Sequence, residues 1–232
     1  MNAAWHDSWS HLMQAVICGK EHDGFPHDNL DELENKSNPA CNGYKTGDRF
    51  VNYITSHDHD RAMFILGEHA KIFDGAAFRR LKLGCSILLT SPGIPMIRMG
   101  DEFGFSHCKT LERCPMDWSL LDNQSNRDLL EHTKRLMQFR RQNDALRGDG
   151  YQVVLKDPAK LLFAYKRWNG GGNVVLVVAN LKDQDAGPFC VEDAGLEDGV
   201  WRDAFHGNEL KVTAGKLCDV IAKSEVKVYI KQ

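Results

Sequence analysis

The hydrophobic period of this chain changes near residue 148, and that switch limits the folds open to it. Before Leu146-Arg147-Gly148-Asp149-Gly150, apolar residues recur at helical spacing between short strand-like runs; after it they alternate. Side chains share a face every three or four residues on a helix but every second residue on a strand. The two stretches therefore bury their apolar faces in different ways. The pattern predicts an α/β part over residues 1–148 and an all-β domain over residues 149–232.

In the first part, Trp5, Trp9, Leu12, Met13, Val16 and Ile17 predict a helix over 5–18. Residues 19–47 read as a long irregular connection with a short helix at 29–35. Phe50-Val51-Asn52-Tyr53-Ile54-Thr55 predicts a strand that runs into the polar cluster Ser56-His57-Asp58-His59-Asp60-Arg61. Asp74 is placed to cap a helix over 75–89, with Phe78, Leu81, Cys85 and Leu88 on one face. Thr90-Ser91-Pro92-Gly93 stops it, and Pro95 to Met99 predicts a second strand ending at Gly100-Asp101-Glu102-Phe103-Gly104. A further helix spans 127–142. Strand, helix, strand, helix makes two βα units.

In the second part, strands are expected over 151–156, 161–168 and 173–180, the last two joined across Asn169 to Gly172 as a hairpin. Shorter strands follow near Phe189, Val200 and Val212, and residues 225–231 alternate cleanly. The expected product is an antiparallel β-sandwich able to fold on its own.

A net charge of −3, with acidic and basic residues interleaved, gives no footprint for nucleic acid or an anionic membrane. No run approaches the roughly 18 apolar residues of a membrane span, and the N-terminus lacks the pattern of a signal peptide. Seven cysteines without a C-x-x-C pair predict reduced thiols in a cytoplasmic protein. Cys108 and Cys114 with His107 make a weak zinc pattern, since no second pair completes it.

Two passages resemble a known family. Phe50 to Asp58 resembles the strand-seven motif of glycoside hydrolase family 13, the α-amylase family, in which a strand ends in His-Asp. Leu88 to Gly104 resembles the passage from its helix seven to its strand eight, and Phe73 to Lys82 is similar to that helix in branching and related bacterial α-glucan enzymes. The resemblance covers about residues 45–150 well and implies the C-terminal portion of a (β/α)8 barrel followed by the β-sandwich. A barrel of this kind keeps its active site at the carboxyl ends of its strands.

The resemblance also implies chemistry. Retaining glycosidases use a carboxylate nucleophile and a carboxylic acid, and a third carboxylate offsets the charge of the oxocarbenium-like transition state. By motif match Asp58 is the third carboxylate and His57 a hydrogen-bond donor to sugar hydroxyls; Arg61, Asp101 and Glu102 are candidate substrate contacts, Arg61 on the rim. Asp101 and Glu102 also read as turn-stabilising residues. Nothing before Gly47 resembles the motifs of the nucleophile or the acid, so this chain is expected to be inactive alone. Its expected partners are an α-glucan and either a chain supplying further barrel strands or a second copy of itself; no cofactor is implied. A non-catalytic glucan-binding or docking module is the alternative. A metal-dependent hydrolase built on His57-Asp58-His59-Asp60 is disfavoured, since no distant His or Asp group is evident to complete it, so no metal is expected. Asp60 is expected to cap the following helix. Trp5, Trp9, Trp118 and Trp168 are candidates to stack on sugars but are expected in the core, like most aromatic residues at such spacing.

Overall fold

A computed structural model describes residues 3–170 and 172–232. Its first part is a three-stranded parallel sheet, β1 (Ala4–Trp5), β2 (Phe50–Asn52) and β3 (Ile94–Pro95), adjacent in chain order. Parallel neighbours need long crossovers, and helices supply them. α1 (Asp7–Cys18) and α2 (Leu30–Ser37) lie between β1 and β2; α3 (Ala62–Ile65) and α4 (Asp74–Thr90) lie between β2 and β3; α5 (Gln124–Gln142) and α6 (Asp144–Arg147) follow. The strand at Ala4–Trp5 makes this three βα units rather than two.

Both anticipated strands are shorter than their composition suggested. In the segment after β2, the carbonyl of Ile54 accepts from Ser10 Oγ and Gln14 Nε2, each at 2.8 Å, so side chains of α1 take the place of a strand partner. The second strand is Ile94–Pro95 rather than 95–99, because the Met96 N–H makes its bond to Asn52 O at 2.8 Å and the chain then turns away. Two capping expectations also change. Phe73 occupies the N-cap position of α4, and Asp74 is the helix's first residue, in a left-handed conformation. Arg61, not Asp60, occupies the N-cap of α3.

α1 buries Trp9, Leu12, Met13, Val16 and Ile17, and it ends at Gly19, whose left-handed backbone lets its N–H cap Ala15 and Val16. α4 crosses it closely at Gly84, where a Cβ would stand 2.9 Å from both Ile17 Cγ2 and Ile54 Cδ1. That approach needs a residue without a side chain.

The second part contains a six-stranded antiparallel sheet in the order β4-β5-β6-β11-β8-β9, where β4 is Gly150–Asp157, β5 Leu162–Trp168, β6 Val174–Asn180, β8 Gly199–Asp203, β9 Glu209–Val212 and β11 Val226–Lys231. β7 (Gly187–Val191) and β10 (Leu217–Ile221) pair separately; β10 was not anticipated. Gly171, within the expected hairpin turn, lies outside the described residues.

β5 and β6 are apolar on both faces. Leu162, Ala164, Leu176 and Val178 pack with Phe189, Val191, Leu217 and Ile221 of the two-stranded sheet. The alternate residues Phe163, Tyr165, Val175 and Val177 join one core with Leu12, Ile17, Leu81 and Leu88 of the helices. Residues 150–232 therefore close their own core on one face of the large sheet only. Two arginines, Arg167 and Arg80, stitch the junction, and Arg140 braces the first part beside it. Arg167, 1% exposed, donates to Thr90 O at 2.7 Å, Gly148 O at 2.6 Å and Gly150 O at 2.9 Å. Arg140 reaches Leu89, Ser91 and Gly93 carbonyls, and Arg80 reaches Leu181 O.

The expectation of reduced thiols fails at one pair. Cys190 and Cys218 stand opposite each other in the register of β7 and β10 and form a disulfide. Separation of 28 residues hid a pairing that only strand register creates. Cys18, Cys41, Cys85, Cys108 and Cys114 are free. Among the described residues, no helix is long and apolar enough to cross a membrane.

Candidate functional site

Because β1, β2 and β3 run parallel, the segments that leave their carboxyl ends emerge on one side of the sheet. There a cavity of about 690 Å³ opens between the start of α1 and the loop after β2, lined by residues that include Trp5, Asp7, His11, Tyr53, Asp58 and His59.

β1 delivers the first group. Trp5 is 50% exposed and meets Tyr53 and His57 edge-on at 5.3 and 5.9 Å, so it stands at the cavity rather than in the core. Trp118 is also exposed, while Trp9 is buried as expected and Trp168 partly so. His6 turns inward to share a 3.0 Å hydrogen bond with Asn52 Oδ1, and burial lowers its pKa. Asp7 begins α1 and accepts from Tyr53 Oη at 3.0 Å. Burial first, then that bond to Asp7, pushes the Tyr53 hydroxyl well above its usual range.

The second group follows β2 in a tight turn. His59 N–H donates to Ser56 O at 3.1 Å and Asp58 N–H to Ser56 Oγ at 3.2 Å. This turn sends His57 and Asp58 outward, their side chains 77% and 63% exposed and 3.4 Å apart at His57 Nε2 and Asp58 Oδ2. It sends His59 the other way, to rest its ring 5.4 Å from that of His11. Burial lowers the His59 pKa, with the neighbouring His11 as a second cause. Asp60 accepts from the Lys109 N–H, which ties this turn to the loop after β3.

The other three sequence candidates face inward. Arg61 is buried rather than on the rim: it donates to Met99 O at 2.6 Å, lies 3.7 Å from Asp101 Oδ1 and covers the Phe105 ring at 4.6 Å. Asp101, its side chain 11% exposed, accepts from the Thr55 hydroxyl. Burial raises its pKa to about 6 against the opposing pull of Thr55, Arg61 and Arg98. Glu102 Oε2 accepts from Gly100 N–H at 2.6 Å. Arg61 and Asp101 thus tie the loops after β2 and β3 to each other, Glu102 closes the second of these loops on itself, and His57 and Asp58 stay exposed.

Sequence reasoning missed Asp7, His11 and Tyr53, and it preferred the core for Trp5. A two-residue strand carries no period, so Trp5 read as the start of the helix. The usable signal was Asp7 and His11, four residues apart and hence on one helix face. His57-Asp58-His59-Asp60 does not converge as a metal quartet, but the distant partners judged missing do exist for His59. One ligand atom each of Asp7, His11 and His59 lie within 4.8 Å of one another.

No protein-family model matches the chain. A maltogenic α-amylase of Bacillus acidopullulyticus is 29% identical to it over 147 residues, a match covering 62% of this chain and 23% of that enzyme. A 1,4-α-glucan branching enzyme of Pseudomonas syringae pv. syringae is 29% identical over 184 residues, covering 68% of this chain and 23% of that enzyme. Among solved structures, AmyP in complex with maltotriose has the same fold, with a TM-score of 0.84 at 14% identity over 100% of this chain and 50% of that one. The chain spans about a quarter of the length of these two curated relatives.

Proposed function

We propose, from the premise that this chain is related to the C-terminal part of α-amylase-family glycoside hydrolases, that it forms part of the active site of an α-glucan glycosidase or glucanotransferase. On this reading the parallel sheet and its helices are the closing portion of a (β/α)8 barrel, and residues 149–232 are the β-sandwich that follows it. One observation carries the proposal: His57 and Asp58 stand exposed on the carboxyl side of a parallel sheet, beside a cavity, where barrel enzymes hold their substrate.

Asp58 is then the carboxylate that offsets positive charge on the sugar during cleavage of an α-1,4-glucosidic bond, and His57 donates to a sugar hydroxyl. Exposure suits both, since a charge that waits for a ligand must not be spent on an internal partner. Trp5 adds an aromatic face beside His57 on which a sugar ring can rest. Asp101, Glu102 and Arg61 position these loops. Nothing before Gly47 resembles the motifs of the nucleophile or the acid, so the chain by itself is expected not to turn over glucan.

The test is complementation. The purified chain is assayed on amylose and glycogen, alone and mixed with a fragment of a related enzyme that carries the first six barrel units. The expected result is no turnover alone, activity on mixing, and loss of that activity with Asp58→Ala. Turnover by the chain alone, or equal restoration by the wild-type chain and Asp58→Ala, overturns the assignment.

A further inference from the structure

We propose that Arg98 is a positioning residue for Asp58: its guanidinium clamps the far end of the turn that carries His57 and Asp58 and so aims the Asp58 carboxylate. The catalytic consequence rests on the glucan reading, whereas the clamp itself rests on geometry alone.

Among the described residues, no buried partner holds Asp58. Its side chain is 63% exposed, and the group it meets, His57 at 3.4 Å, is 77% exposed. The direction of the carboxylate is therefore set by the backbone beneath it. Within the turn, Ser56 accepts from the N–H groups of Asp58 and His59. Such local bonds shape the turn but let it move as a body. Its place relative to the sheet needs bonds from elsewhere.

Two such bonds exist, one at each end. At the entry, the Thr55 hydroxyl donates to Asp101. At the exit, Arg98 Nη1 donates to His59 O at 2.6 Å, across 39 positions of sequence. Both pins stand on the segment after β3, and that segment is itself fixed. Met96 N–H donates to Asn52 O of β2 at 2.8 Å, and Asp101 N–H donates to Arg98 O at 2.9 Å. The turn from Thr55 to His59 is thus spanned between two anchors held in register with each other. Asp58 lies between them, next to the Arg98 anchor.

Charge suits a guanidinium to this place. Burial, then the neighbouring Arg61, lowers the Arg98 pKa, while Asp101 and Asp60 oppose them. A cationic donor bonds a carbonyl more strongly than a neutral one. Among the described residues, Asp58 and His59 line the cavity of about 690 Å³ and Arg98 does not. Arg98 therefore acts through the turn and not on a ligand. The competing account is that Arg98 merely satisfies a carbonyl, so that its loss changes stability and leaves Asp58 where it is.

The experiment replaces Arg98 in the 232-residue chain. Arg98→Met keeps an unbranched stem and removes the donor; Arg98→Lys restores a cationic donor. The amide resonances of Asp58 and His59 are expected to move in Arg98→Met and to return toward wild type in Arg98→Lys, with urea midpoints confirming that both variants fold. In the complementation assay above, Arg98→Met is expected to lower kcat about 10–100-fold with KM changed less than about threefold, and Arg98→Lys to recover most of the loss. A folded Arg98→Met with an unmoved Asp58 amide overturns the proposal, whether or not the mixture is active. So does a kcat equal to wild type. The wild-type chain supplies a test that needs no variant: magnetisation transfer between the Arg98 Nη protons and the His59 backbone is expected, and its absence overturns the clamp. No activity from the wild-type mixture overturns the glucan reading instead, and the spectra still decide the clamp.

Discussion

Asp101→Asn is expected to stabilise the 232-residue chain at neutral pH, although it removes a charge that lies beside an arginine. The carboxylate is nine-tenths buried, its Oδ1 has no hydrogen-bond partner, and Arg61 is 3.7 Å away. Burial therefore dominates and lifts its pKa from 3.8 to about 6. A folded-state pKa above the unfolded value means that folding favours the protonated form. The stability this contributes is fully present below pH 3.8 and is lost as the pH rises through about 6. That gap corresponds to about 3 kcal/mol, at about 1.4 kcal/mol for each tenfold change. Asparagine keeps the shape and cannot ionise; its Oδ1 can face Arg61 while its Nδ2 donates to Thr55 Oγ. Urea unfolding of both proteins at pH 3.5, 5 and 7.5 measures the difference. The two are expected to match at the lowest pH and to diverge with rising pH, until the variant is about 3 kcal/mol more stable. A variant less stable than wild type at pH 7.5 would refute the reasoning, because Asp101 would then be an ionised partner of Arg61 that more than offsets its own burial.

Three further outcomes follow from the packing. Gly84→Ala places a methyl group 2.9 Å from Ile17 and Ile54 and is expected to cost about 1–3 kcal/mol, read from the urea midpoint. Residues 149–232 expressed alone expose Phe163, Tyr165, Val175, Val177 and Val228, so the segment is expected to bind a hydrophobic dye and to unfold with less cooperativity than the full chain; a sharp, well-dispersed amide spectrum from that segment would count against the shared core. Thiol titration of the denatured, unreduced chain is expected to give five free thiols, rising to seven on reduction, with Cys190→Ala lowering stability by about 2–4 kcal/mol.

Element types were legible where the period was long enough to be read. The 19 residues of α5 and the alternating run of β6 needed no tertiary information, and the switch near residue 148 marked where helices give way to the large antiparallel sheet. That His57-Asp58 follows a short strand in an exposed polar turn was legible too, because the run Phe50 to Asp58 is contiguous along the chain. β1, with two residues, was illegible, and β10 escaped because its exposed face carries Cys218 and Val220, so apolar and polar residues do not alternate along its five positions.

Sequence alone determined which residues could carry charge into a site. It did not determine which were free to do so. Asp58 and Asp101 both follow short apolar runs ahead of polar turns, yet one is 63% exposed and the other 11% exposed. The difference arises because Thr55 and Arg61, which precede Asp101 by 46 and 40 positions, fold back onto it, and the Ser56 turn holds Asp58 away from any such partner. The meeting of Asp7, His11 and His59, and of Cys190 with Cys218, has the same origin. Local pattern reads periods within one element, whereas a site is made where elements distant in sequence bring side chains together, and only the packed structure sets those distances.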